Sequence, residues 1–193
     1  MLKEGDAVPT FSLPCDDGST VRSSSLGKAV LYFYPRDSTP GCTRESQAFS
    51  AQLRAFKKQG VAVYGISRDS LASHTKFKHN YSLTVPLLSD PDLATHRAFG
   101  AWGEKTMYGK KVEGVIRSTF VVEGGRIRRV WPSVKVDGHA EAVLAFVGGG
   151  AAPAATPKAK GKKKVAHGPR PKPAPKRASA KKSLSAPRAK KKK

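Results

Sequence analysis

Apolar positions fall into short blocks whose spacing changes along the chain. FSLPCDDGSTV, residues 11–21, sets two apolar pieces on either side of Asp17 and Gly18, a hairpin signal. AVLYFYP, Ala29 to Pro35, is a continuous β-prone run that suits a strand covered on both faces. Thr39 and Pro40 then read as an N-cap and first helical residue. Phe49, Leu53 and Phe56 recur at i, i+4 and i+7 before Lys57, Lys58 and Gly60, which predicts a helix from Pro40 to Gln59. VAVYGIS is a second buried strand, LASHTKFKHNY a helix, VPLLSD a third strand, and PDLATHRAF a helix ended by Gly100. GVIRSTFVV and RIRRVW flank Gly124-Gly125 and predict an antiparallel pair, followed by a last helix over Gly138 to Val147. Strands alternating with helices, joined by antiparallel additions, predict an α/β domain with a mixed sheet.

Composition changes this picture at one place. After Gly148-Gly149-Gly150 the chain turns to Lys, Ala, Pro and Arg with almost no large apolar residue, so residues 148–193 read as a glycine linker and a disordered basic tail. Net charge is +22 over 193 residues, and residues 151–193 hold 16 of the 36 Lys and Arg and none of the 14 Asp and Glu, leaving residues 1–150 at +6. Two cysteines 27 positions apart make neither a metal framework nor a disulfide scaffold, and they fit a reducing compartment. The start, MLKEGDAVPTF, carries acids at positions 4 and 6 and does not read as a leader. The longest apolar stretch, Ala142 to Ala155, is shorter than the roughly 20 residues of a membrane span and contains glycines and a proline. A cytoplasmic protein without a membrane partner is expected. The histidines, at 74, 79, 96, 139 and 167, show no ligand spacing, so no metal is expected, and they read as surface residues.

Candidate chemistry centres on YFYPRDSTPGCTRESQAF, residues 32–49. Cys42 falls in the first turn of the predicted helix, where unpaired backbone N–H groups and the positive end of the helix dipole favour a thiolate. Thr39, three residues earlier, offers a hydroxyl that can donate to and accept from a small polar substrate. Arg117, inside the apolar run GVIRSTFVV, is the candidate cation beside the thiolate, with a strand-edge salt bridge as the alternative. The alternative for Cys42 is an inert buried thiol.

Pro35, Thr39 and Cys42 form P-x-x-x-T-x-x-C, which resembles the peroxiredoxin signature, and YFYPRDSTPGCTRE resembles the PrxQ, or bacterioferritin comigratory protein, branch. FSLPCDDG, LLSDPD, FGAWGEK and GVIRSTFVV resemble that branch in the same order. The resemblance implies a thioredoxin-like fold of the peroxiredoxin type over residues 1–147, a central mixed sheet flanked by helices. It also implies a cofactor-free thiol peroxidase acting on hydrogen peroxide and organic hydroperoxides. Cys42 would then be the peroxidatic cysteine and become a sulfenic acid, Thr39 would hold the peroxide, Arg117 would stabilise thiolate and developing charge, and Pro35 would shield the thiol from water. Glu45 matches an acidic or polar family position that orients arginines; a simple first-turn helix charge is an equal alternative.

The departures from the family bear on the reductant. Members of the branch carry a resolving cysteine five residues after the peroxidatic one or on the later helix; here those places hold Gln47 and DLATHRAF, without cysteine. Cys15, in the turn LPCDDG, is expected to be exposed, and a role in resolving Cys42 would require Cα atoms within about 7 Å. A surface thiol is the preferred reading. A one-cysteine cycle closed by thioredoxin, glutaredoxin or a low-molecular-weight thiol is therefore expected, in a monomer. The tail resembles in composition the arms of linker histones and histone-like bacterial proteins. Its Lys162, Lys163, Lys164, Lys181, Lys182, Lys190, Lys191, Lys192 and Lys193 point to a nucleic-acid partner, with nucleoid association in a bacterium or nuclear import in a eukaryote. The alternative function is a histone-like DNA-binding protein whose thioredoxin-like domain senses redox state.

Overall fold

Five consecutive buried residues, Ala29 to Phe33, decide the architecture, because a strand with no solvent-facing side needs cover on both faces. A computed structural model describes residues 1–107 and 110–149. In it Ser12–Pro14 (β1) and Thr20–Arg22 (β2) form the expected antiparallel hairpin. Lys28–Phe33 (β3) is followed by the helix Pro40–Lys58 (α1), Val61–Ser67 (β4), the helix Leu71–Tyr81 (α2), Leu87–Ser89 (β5) and the short helix Ala94–Phe99 (α3). Trp102–Met107 (β6) and Lys110–Val115 (β7) pair antiparallel as a separate two-stranded sheet. Ser118–Glu123 (β8), Arg126–Trp131 (β9) and the helix His139–Val147 (α4) complete the described chain.

The central sheet has the order β5-β4-β3-β8-β9, parallel between β3, β4 and β5 and antiparallel at β3–β8 and β8–β9. This is the mixed sheet that the sequence predicts. Alternation along β3 builds two cores. Val30, Tyr32 and Tyr34 pack with Phe49, Leu53 and Phe56 of α1, Phe77 of α2 and Val143 and Val147 of α4. Ala29, Leu31 and Phe33 pack on the opposite face with Phe99 of α3, Phe120, Ile127 and Leu13 of the first hairpin.

One expectation is corrected and one hairpin is added. GVIRSTFVV is not one strand: β7 ends at Val115, β8 begins at Ser118, and Arg117 lies in the break, where the chain leaves one sheet for another. The β6–β7 hairpin carries no apolar alternation, so WGEKTM and KKVEGV gave no strand signal. The basic-tail assignments fall on residues 150–193, outside the described residues.

Gly65 fixes how closely α1 can be held to the sheet. A Cβ there would stand 2.6 Å from the Tyr32 ring and 2.8 Å from Leu87, and the Tyr32 hydroxyl donates to Ser46 of α1 at 3.1 Å. Gly65→Ala must displace this ring, and overpacking of that kind costs about 1–3 kcal/mol. Urea unfolding followed by tryptophan fluorescence should show that loss; an unchanged midpoint would mean that the Tyr32 ring moves freely.

Candidate active site

The turn between β3 and α1 brings three of the predicted residues together. Pro35 follows Tyr34 at the end of the strand, Thr39 is the α1 N-cap, and Cys42 is the third helical residue, 1% exposed. The helix begins with the Thr43 N–H donating to the Thr39 carbonyl at 2.8 Å. The Thr39 hydroxyl does not cap it. Instead it donates to the Arg36 carbonyl at 3.1 Å, closing the turn on itself.

Arg117 arrives from the break before β8, 75 residues away in sequence. Its Nη2 donates to Cys42 Sγ at 3.2 Å and its Nη1 to Glu45 Oε2, so one guanidinium spans a thiol and a carboxylate one helical turn apart. Glu45 is 1% exposed. Burial pushes its carboxyl up to about 7, against the pull of the Arg117 charge and hydrogen bond. Arg117 therefore contacts the thiol and is ion-paired with Glu45 at once, but from the break between β7 and β8 and not from the strand edge read from sequence. His139 backs the group: its Nε2 lies 2.8 Å from Thr119 Oγ1, and its ring packs edge-on to Phe49 and Trp131. Burial, then the Arg117 charge, lowers its imidazole to about 4, so it is neutral around pH 7.

Sequence reasoning missed the buried network under the turn. Asp37 accepts from Tyr34 Oη at 2.7 Å and Ser73 Oγ at 2.7 Å and pairs with His74 Nδ1 at 2.9 Å, while its own N–H donates to Asp69 Oδ2 at 2.8 Å. Burial opposes ionisation of Asp37, but these bonds and the His74 charge hold its carboxyl below the usual range. Next to it Ser38 adopts φ 58°, a left-handed conformation uncommon for a residue with a Cβ. His74, His96 and His139 are buried, which corrects the expectation of surface histidines; each faces a carboxylate or hydroxyl partner. The signal available was a histidine on the apolar face of each helix.

Cys15 is likewise buried, at 1% exposure, because the turn that holds it folds against β5. Burial, above all, pushes its thiol up to about 11. Cys15 bridges Leu88, Leu88 pairs with Ile66 and Ile66 with Phe33. Three strand spacings, about 14 Å, therefore separate Cys15 from β3. The two thiols also belong to the cores on opposite faces of the sheet. A disulfide needs Cα atoms within about 7 Å, so this fold does not bring Cys15 to Cys42.

The AhpC/TSA family model matches residues 5–130. The chain is 43% identical over 146 residues to a putative peroxiredoxin bcp of Coxiella burnetii, covering 74% of this chain and 97% of that one. It is 47% identical over 141 residues to peroxiredoxin Bcp of Xanthomonas campestris, covering 70% and 88%. A solved structure of the Xanthomonas campestris bacterioferritin comigratory protein, described for its alkyl peroxide reduction activity, superposes with a TM-score of 0.69 at 42% identity, covering 75% of this chain and 98% of that one.

Glu45 supplies a pH test of the site. With its folded value near 7 and its ordinary value 4.5, the folded state binds the proton more tightly, so this group's contribution to stability falls as pH rises from 4.5 to 7. Glu45→Gln should flatten the dependence of the urea midpoint across that window; an unaltered profile would show that folding does not shift this carboxyl's proton affinity.

Proposed function

The chain belongs to the AhpC/TSA family, in its Bcp/PrxQ peroxiredoxin branch, and on that premise we propose that Cys42 is the peroxidatic cysteine of a one-cysteine cycle completed by an external thiol. The fold is thioredoxin-like and the activity that of a thiol peroxidase. The single observation that supports the assignment best is the 3.2 Å contact from Arg117 Nη2 to Cys42 Sγ at the start of α1.

The Cys42 thiolate attacks one oxygen of hydrogen peroxide or an organic hydroperoxide. An S–O bond forms, the O–O bond breaks, and the leaving oxygen takes up a proton and departs as water or alcohol. Arg117 lies where negative charge passes from sulfur to the separating oxygens, and fixed donors of this kind are commonly a large part of the rate. The Thr39 hydroxyl, now turned to Arg36, holds the peroxide by exchanging that carbonyl for a substrate oxygen. Pro35 keeps water from the thiol. The product, a sulfenic acid, has no thiol within reach: Gln47 stands where an in-helix partner would be, α3 holds no cysteine, and Cys15 lies beyond β5. Thioredoxin, glutaredoxin or a low-molecular-weight thiol then restores Cys42, and the enzyme works as a monomer over residues 1–147.

The tail, with 16 Lys and Arg in residues 151–193, gives the proposal its second part. It holds the peroxidase on nucleic acid in the cytoplasm, at the nucleoid in a bacterium, through counterion release with little sequence preference. Among the described residues no helix is long and apolar enough to cross a membrane.

Peptide mass spectrometry after one equivalent of hydrogen peroxide, with a sulfenic-acid trap, should find trapped Cys42 equally in wild type and Cys15→Ser; a Cys15–Cys42 disulfide in wild type would overturn the one-cysteine cycle. Arg117→Gln should slow oxidation of Cys42 by about 100-fold or more in stopped-flow assays. If about half of the tail cations engage duplex DNA, log affinity should fall with log salt at a slope on the order of −7. Equal retention of a chain ending at residue 149 in gel shifts would remove the tail from the account.

A further inference from the structure

The β6–β7 hairpin places a cavity of about 210 Å³ directly beside the catalytic turn. Its walls include Pro35 and Arg36 from the turn, Arg68 at the end of β4, Trp102 from β6 and Glu113 from β7. Arg36 and Arg68 are both exposed, and among the described residues neither side chain has a salt bridge or hydrogen bond, whereas Arg44, Arg117, Arg128 and Arg129 each pair with a carboxylate. Two unpaired guanidinium groups on one small opening repel each other unless an anion lies between them. Glu113 offsets only one of the two charges. The Trp102 ring adds an apolar wall of the kind that covers a short aliphatic stem.

The cavity is joined to the reacting sulfur by the chain itself. Arg36 adjoins Pro35, and its carbonyl receives the Thr39 hydroxyl at 3.1 Å, three residues before Cys42. Cys42 is 1% exposed, so an attacking thiol larger than a peroxide meets its sulfur only when this turn moves. A ligand held by Arg36 rests on the segment that has to move, and Ser38, at φ 58°, gives that segment a strained residue whose release favours the motion.

We propose that this cavity docks the reductant, a low-molecular-weight peptide thiol whose carboxylates pair with Arg36 and Arg68 and whose ammonium faces Glu113. The proposal rests on the one-cysteine reading above. The bound thiolate attacks the Cys42 sulfenic sulfur. An S–S bond forms, the S–O bond breaks, and hydroxide leaves as water after taking a proton. A second thiol attacks the outer sulfur of the mixed disulfide, releasing the Cys42 thiolate and the oxidised thiol dimer. Per turnover one hydroperoxide and two thiols give one alcohol, one water and one disulfide, which balances atoms and electrons.

The test uses the full chain, oxidised with one equivalent of hydrogen peroxide and mixed with one of three thiols. These are reduced glutathione, with two carboxylates and an ammonium; 2-mercaptoethanol, uncharged; and cysteamine, a cation. Rate constants for loss of the sulfenic acid are compared per thiolate. Wild type should favour glutathione, and Arg36→Ala/Arg68→Ala should lower the glutathione-to-mercaptoethanol ratio about tenfold, as expected for two surface charge pairs. Raising salt to about 0.2 M should erode the same preference in the unmutated chain, a measurement that needs no variant to fold. Equal rates for all three thiols in wild type, or an equal loss for all three in the double variant, would overturn the docking site while leaving the one-cysteine cycle intact. A Cys15–Cys42 disulfide before any thiol is added would sink both.

Discussion

One guanidinium holds the site together. Arg117 reaches Cys42 on the first turn of α1 and Glu45 on the next, and it can do so only because the chain breaks between β7 and β8 and frees residue 117 from strand pleating. A residue inside a strand would have its side chain committed to one face of the sheet. The break also hands the chain from the small hairpin to the central sheet, so the same two residues position the charge and connect the two sheets. Buried charges require partners, and here the Cys42 sulfur and the Glu45 carboxyl share one guanidinium. The result is a site in which one cation contacts the sulfur and a buried carboxyl at once.

The turn that carries the sulfur is braced from beneath by Asp37. Its carboxylate gathers donors from Tyr34, just past β3, and from α2, and its N–H is tied to Asp69 beyond β4, so the loop is anchored at three places on the scaffold. Above that anchor lie Ser38, in a conformation that costs free energy, and Thr39, bonded to its own turn. The loop is thus held firmly at one end and lightly at the other. That arrangement suits a reaction in which a small peroxide enters a closed site and a bulkier reductant requires an open one.

Much of this was legible in the sequence. Period-two and continuous apolar runs located β3, β4 and β8, the i, i+4, i+7 pattern with Pro40 and Gly60 located α1 within a residue, and Gly124-Gly125 located the β8–β9 turn. Pro35, Thr39 and Cys42 are close in sequence and stay close in space, so their grouping needed no topology. Arg117 was found because a charge in an apolar run is conspicuous, although its strand was drawn too long. The β6–β7 hairpin, with Glu and Lys where alternation would need apolar residues, gave no signal, and the cavity it helps to wall was therefore invisible. Buried histidines were misread for a related reason: a side chain that hides by pairing with Asp37, Asp90 or Thr119 has partners 37, 6 and 20 residues away, a fact of tertiary structure that composition does not carry. Cys15 looked exposed because turns usually are, and it is not, because this one folds onto β5.

The separation of Cys15 from Cys42 by the width of half a sheet has a consequence for how long the molecule lasts. A sulfenic acid that closes quickly into an internal disulfide is shielded from a second peroxide; one that waits for an outside thiol is not, and a second oxidation to the sulfinic acid is irreversible without a dedicated repair enzyme. In a one-cysteine cycle the number of turnovers before inactivation is set by a race between peroxide and thiol for the same sulfur. A protein working by the proposed cycle would behave as a fuse as well as a catalyst: it would run while thiol is plentiful, and burn out at the place where peroxide has outrun it.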